Sequence, residues 1–167
     1  MCQTSSVMPN VMRILFVCTG NTCRSALAEA IARREAIERG LSDIDVASAG
    51  ISAWDGAPAS DGALLVAIER RLDLGSHRAQ QLTRDLVERS DVILVMGPHH
   101  FERVVALGGE HKVWLLTAYA SRSDTGQAIA DPFGGDLVAY RSTLAELERE
   151  VRAAFDRLVA ERAPGPA

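Results

Sequence analysis

The sequence of 167 residues predicts a single α/β domain, a parallel four-stranded sheet with helices on both faces. Three observations predict it. Strand-like and helix-like stretches alternate along the chain, the pattern of repeated βαβ units. Met12 to Val17 and Asp91 to Met96 are nearly continuous apolar runs, as expected of strands covered on both faces. Near the C-terminus Leu137, Tyr140, Leu144, Leu147, Val151, Phe155 and Leu158 recur every three or four residues, the stripe of a long amphipathic helix.

The elements follow in order. Residues 12–17 form the first strand. Residues 25–39 form a helix with Leu27, Ile31 and Ile37 at helical spacing, stopped by Gly40. Ile44 to Ala49 is a second strand. Residues 59–72 form a helix carrying Leu64, Leu65, Ile68 and Leu72, and Thr83 caps a short helix ending at Arg89. The run Asp91 to Met96 is a third strand, stopped by Gly97-Pro98. His99 to Leu107 is a helix, Lys112 to Leu116 a fourth strand, and Asp136 caps the terminal helix. Residues 1–11 read as a flexible lead-in, 12–161 as the domain, and 162–167, ending Ala163-Pro164-Gly165-Pro166-Ala167, as a flexible tail.

Composition narrows the function classes. The chain is 47% hydrophobic, enough for a full core without disulfide support. Its formal charge of −4 argues against non-specific nucleic-acid binding. No apolar run is long enough to cross a membrane, and the first residues lack a signal-peptide pattern. The expected setting is the cytoplasm, with a monomer or weak dimer as the assembly. The three cysteines, Cys2, Cys18 and Cys23, make no disulfide framework. His77, His99, His100 and His111 show no metal spacing relative to them, so no metal and no cofactor are expected.

The most informative segment is Cys18-Thr19-Gly20-Asn21-Thr22-Cys23-Arg24-Ser25, directly after the first strand. In parallel α/β sheets ligands bind at the carboxyl ends of strands. A loop of small residues opening into a helix can turn its N–H groups toward one centre and hold a phosphate-like anion. Cys18 would lie beneath the anion as nucleophile. An ordinary thiol titrates at about 8.5, and N–H donors, a helix N-terminus and an arginine lower that value. Arg24 would clamp two phosphoryl oxygens, since a cation at a helix N-terminus calls for an anionic partner. Gly20 and Asn21 tolerate the positive φ that a closed loop needs. Ser25 can donate its hydroxyl to Cys18, cap the helix, or do both.

A leaving group needs a proton donor. Asp131-Pro132-Phe133-Gly134-Gly135 supplies one in Asp131, with Phe133 as a pocket wall; the same segment also reads as a plain turn before the last helix.

With these two segments the chain resembles the low-molecular-weight protein-tyrosine phosphatase family, over roughly Val11 to Leu158. The resemblance implies a four-stranded parallel sheet, no metal and a cysteinyl-phosphate intermediate. It implies Cys18 as nucleophile, Arg24 as phosphate clamp and Asp131 as general acid. It places Thr19, Gly20, Asn21, Thr22, Cys23 and Ser25 around the phosphate, and Asn21, Ser48 and His77 in a network bracing the loop. Ala26 departs from the proline usual at the first helical position, which affects preorganisation rather than chemistry. The implied partners are phosphorylated proteins and phosphate-like anions. Thr22 and Phe133-Gly134-Gly135 resemble the protein-arginine phosphatase branch, whereas Trp54 stands where tyrosine-directed members place a pocket wall; loop packing is its simpler role. Two other readings compete with this one. Arsenate reduction needs relay cysteines, and residues 75–95 contain none. A non-catalytic phosphate-binding module would not require Cys18, Arg24 and Asp131 together. Cys23 is either a resolving thiol for an oxidised Cys18 or packing beneath the loop.

Overall fold

The computed structural model describes residues 11–162. The lead-in and tail, apart from Val11 and Arg162, lie outside the described residues, as does Cys2. Strands β1 (Met12–Cys18), β2 (Ile44–Gly50), β3 (Val92–Val95) and β4 (Val113–Leu115) form one parallel sheet in the order β2-β1-β3-β4. The helices are α1 (Arg24–Glu38), α2 (Asp61–Glu69), α3 (Arg84–Arg89), α4 (Pro98–Ala106), α5 (Leu116–Ser121) and α6 (Leu137–Arg162).

Alternation along β1 divides the core. Ile14, Phe16 and Cys18 join the layer containing Leu27 and Ile31 of α1 and Leu147 and Val151 of α6. Leu15 and Val17 face the opposite way, toward Val87 of α3 and Val104 of α4. The sheet is thus buried on both faces, which is why its central strands read as continuous apolar runs. Cys18 pairs in register with Gly50, and Val17 with Val95, so the chain leaves β1 level with the ends of both neighbours.

Helix ends follow local chemistry. Gly40, at φ +68, lets the Leu41 N–H reach Ala36 O and its own N–H reach Ile37 O, closing α1. Thr83 accepts from Leu86 N at 3.2 Å and Asp136 from Ala139 N at 3.0 Å, the two expected caps. Arg71 makes the same left-handed exit from α2 without being glycine (φ +59). Burial opposes ionisation of Glu35, but hydrogen bonds from Arg39 and Arg152 outweigh it and hold the carboxyl below its usual range, tying α1 to α6.

Two features differ from the sequence expectation. Helix α5 begins at Leu116, which the apolar pattern assigns to the fourth strand; its six residues carry no capping side chain or long stripe. On α2 the buried residues are Ala63, Val66 and Ala67, while Leu65 and Ile68 are exposed; Ile37 of α1 is exposed as well. The cause on α2 is close approach. A Cβ on Gly62 would lie 2.5 Å from the Tyr140 ring of α6, so α2 turns its small residues inward.

Gly62→Ala should therefore destabilise the protein by about 1–3 kcal/mol through overpacking against Tyr140. Urea unfolding measures this; an unchanged midpoint would mean that α2 and α6 separate freely.

Candidate active site

Residues 19–23 connect β1 to α1, and their path is set by one backbone conformation. Asn21 adopts φ +57, the left-handed region where asparagine is among the few residues accepted without large strain. The turn also needs a gap beside it. A Cβ on Gly50 would lie 2.4 Å from Thr19 O and 2.9 Å from Asn21 N, so β2 ends on glycine to let the loop seat. Among the described residues, no acceptor pairs with the N–H groups of Thr19 to Arg24. Helix α1 starts with Cys23 as N-cap, without a capping side chain and without an acid in its first turn. Unpaired N–H groups at the positive end of a helix form an anion site.

The floor of the loop is a chain of hydrogen bonds. Cys18 Sγ lies 2.9 Å from Ser25 Oγ. Asn21 Nδ2 donates to Ser25 Oγ at 2.7 Å and to Ser48 Oγ at 2.9 Å. Ser48 Oγ donates to Glu29 at 3.2 Å. Asn21 Oδ1 accepts from Gln80 N at 3.0 Å, and Asn21 O accepts from His77 Nε2 at 2.6 Å. A carbonyl only accepts, so His77 carries its proton on Nε2. Every hydrogen-bonding atom of the Asn21 amide is satisfied, and Asn21, Ser25 and Ser48 are all buried.

Arg24, also buried, forms the side wall. Its Nη1 donates to Ile129 O at 3.1 Å, and its Nη2 lies 3.6 Å from Asp131 Oδ2. Asp131 Oδ1 accepts from Phe133 N at 3.0 Å, which folds the segment into a turn beside the loop. A cavity of about 210 Å³ is lined by Cys18, Thr19, Gly20, Thr22, Cys23, Arg24, Asp131 and Phe133. A sulfur, a guanidinium and a carboxylate converging on unpaired N–H groups can accept, hold and transfer a phosphoryl group. A larger cleft of about 540 Å³ lies behind the loop, against Ser48 and His77, and contains neither Cys18 nor Arg24.

The predicted residues thus divide into two shells and one outlier. Asn21 and Ser25 sit beneath the cavity with Ser48 and His77 rather than on its wall. The cap of α1 is Cys23, so Ser25 serves the sulfur and not the helix end. Trp54 does not line the cavity. It is 84% exposed in the turn closed by Ala57 N to Trp54 O, with Gly56 at φ +86, and this turn carries its ring into solvent. Glu29, Gly50, Gln80 and His100 were not singled out from sequence. Only Gly50 carried a signal, as a glycine ending an apolar strand beside Ser48.

The two loop cysteines differ in environment. Burial, then the nearby charges of Cys18 and Asp131, push the Cys23 thiol up to about 12, with Arg24 opposing. Cys23 therefore stays protonated beside Cys18 at neutral pH.

Gly50→Ala should leave the secondary structure intact while weakening inhibition by inorganic phosphate about tenfold or more, because the loop must move off its N–H arrangement. Circular dichroism together with phosphate inhibition tests this. Unchanged inhibition would show that the loop seats without the gap.

Comparison with known proteins agrees with this geometry. Residues 13–163 match the family described as low molecular weight phosphotyrosine protein phosphatase. The protein-arginine-phosphatase of Bacillus subtilis (strain 168) is 36% identical over 153 residues, covering 90% of this chain and 99% of that protein. The probable low molecular weight protein-tyrosine-phosphatase EpsP of Ralstonia solanacearum is 36% identical over 148 residues, covering 89% and 97%. A solved mutant of the YwlE arginine phosphatase, with a phosphorylated serine in its active site, superposes with a TM-score of 0.82 at 34% identity, covering 90% and 98%. From fold, loop and relatives together, the chain is a phosphatase belonging to the low molecular weight phosphotyrosine protein phosphatase family.

Proposed function

We propose that this protein dephosphorylates protein side chains through a cysteinyl-phosphate intermediate, and that it prefers phosphoarginine to phosphotyrosine. The observation that carries the reading is the convergence of Cys18, Arg24 and Asp131 on one small cavity floored by unpaired N–H groups. Cys18 Sγ attacks phosphorus, and the bond to the leaving nitrogen or oxygen breaks. Asp131 gives that atom its proton. Arg24 and the loop N–H groups hold the three equatorial oxygens as charge develops. Water then attacks the cysteinyl phosphate while the Asp131 carboxylate takes its proton, and the Ser25 hydroxyl supports the departing sulfur. The phosphorylated active-site serine of the YwlE mutant supports a phosphoryl group carried on the loop. The 3.6 Å contact between Arg24 and Asp131 must loosen when a phosphoryl group takes over the guanidinium.

The substrate preference rests on the rim. Thr22 lines the cavity, and its hydroxyl can accept from a guanidinium N–H or orient the attacking water. The glycines after Phe133 leave that side open, and the exposed Trp54 supplies no second apolar wall. The second reading, a phosphotyrosine phosphatase, is favoured by Phe133 on the cavity wall and by relatives such as EpsP. Arsenate reduction is disfavoured, since Cys18 and Cys23 are the free cysteines among the described residues. We place the enzyme in the cytoplasm as a monomer or weak dimer needing no cofactor. Among the described residues no helix is long and apolar enough to cross a membrane.

Phosphoarginine and phosphotyrosine peptides assayed side by side test the reading. Cys18→Ser should abolish turnover. Asp131→Asn should slow it about 100-fold or more. Thr22→Ile should lower kcat/KM on phosphoarginine and spare or raise it on phosphotyrosine. Preference of the wild type for phosphotyrosine, with a ratio unmoved by Thr22→Ile, would leave the second reading standing.

Peroxide should oxidise Cys18 to the sulfenic acid, and the Cys23 thiol should condense with it, releasing water and forming a Cys18–Cys23 disulfide. Mass spectrometry should find this bond and dithiothreitol should restore activity. Loss of activity without the bond, or without rescue, would leave Cys23 as packing alone.

A further inference from the structure

The Cys18 end of the loop has a side-chain tether of its own. Thr19 Oγ1 lies 2.9 Å from the buried His100 Nε2, its nearer partner, and 3.4 Å from His99 Nε2 on the exposed side. The brace on Asn21 comes from β2 and the segment after α2, whereas His100 belongs to α4, which follows β3 on the other flank of β1. His100 is fully buried, and its Nδ1 reaches no partner among the described residues. A Cβ on Gly97, the N-cap of α4, would lie 3.6 Å from that Nδ1. Nδ1 therefore faces the positive end of α4, where a lone pair is favoured over an N–H with no acceptor. The ring proton then sits on Nε2, and His100 donates to Thr19. Burial, followed by the charges of His99 and Arg24, pushes the ring down to about 3, so it is neutral at working pH.

The same turn between β3 and α4 also holds the Asp131 segment. Met96 O accepts from Ile129 N at 2.8 Å, and Ile129 O accepts from Arg24 Nη1 at 3.1 Å. Within five residues, Met96 grips the chain just before Asp131 and His100 grips the chain just after Cys18.

We propose that His100 is a positioning residue which, through Thr19, holds the Cys18 loop in register with Asp131. This rests on the reading of Asp131 as general acid. The phosphoryl group is still anchored by Arg24 and the loop N–H groups when the tether is cut. What suffers is the meeting of the Asp131 proton with the leaving atom. The loss is therefore largest for substrates whose leaving group needs that proton, and binding changes little.

The test compares p-nitrophenyl phosphate, with a good leaving group, and phenyl phosphate, with a poor one, together with inhibition by inorganic phosphate. His100→Leu should lower kcat on phenyl phosphate about tenfold but on p-nitrophenyl phosphate about twofold, with KM and phosphate inhibition nearly unchanged. His100→Gln, which returns an N–H near the Nε2 position, should recover most of the loss. Thr19→Val should reproduce the pattern without disturbing the buried ring, and adding His100→Leu to it should cost nothing more. If His100→Leu does not fold, Thr19→Val and His100→Gln carry the same comparison. Equal losses on both esters, or additive losses in the double variant, would overturn the proposal. Asp131→Asn serves as the control: if it shows no extra loss on phenyl phosphate, the general-acid reading itself fails.

Discussion

The site depends on a single reversal of the backbone at Asn21. A loop that encloses an anion must bend against the handedness that L-residues prefer. Asparagine accepts that bend, and here its side chain is also the hub of the floor. One amide orders Ser25 under the sulfur, Ser48 at the end of β2 and the backbone of Gln80. His77 holds the carbonyl of the same residue. Buried polar networks are stable only when complete, and this one leaves no atom of the amide unpaired. The small residues around it follow from the same requirement, Gly50 most directly, since any side chain there would displace the loop.

Electrostatics then sorts the groups that the bend gathers. The N-terminus of α1 and the buried guanidinium of Arg24 favour negative charge in the cavity. Further along α1, the acidic Glu35 is paired with Arg39 of the same helix end and with Arg152 of α6. The two cysteines are both buried and both line the cavity, and they differ in their neighbours. Burial and the nearby charges of Cys18 and Asp131 keep Cys23 as a thiol, whereas Cys18 has the Ser25 hydroxyl 2.9 Å beneath it.

Much of the architecture was legible because it rests on strong local signals. The apolar runs of β1 and β3, the stripe of α6, Gly40 and the caps Thr83 and Asp136 all correspond to the structure. The convergence of Cys18, Arg24 and Asp131 followed from residue type and resemblance. What stayed hidden is what depends on a partner distant in sequence. Nothing near Glu29 announces that it ends the hydrogen-bond chain from Cys18, and His100 looks like one of two adjacent surface histidines until the fold buries it. The inward face of α2 was misjudged because the largest side chains there are not the buried ones; Tyr140 dictates small neighbours. Trp54 was placed by family position, but the turn around Gly56 decides where its ring goes.

The octapeptide is local, yet nothing that holds it is. Its tethers lie 27, 59, 81 and 105 residues away, at Ser48, Gln80, His100 and Ile129. Closing such distant contacts is slow and comes with the assembly of the whole sheet. A chain still being synthesised can expose Cys18 long before it has an anion cradle to put beside it. Binding competence is therefore acquired with completion of the fold rather than with emergence of the motif. An anion that needs the assembled cradle would bind only the finished state and draw the folding equilibrium toward it.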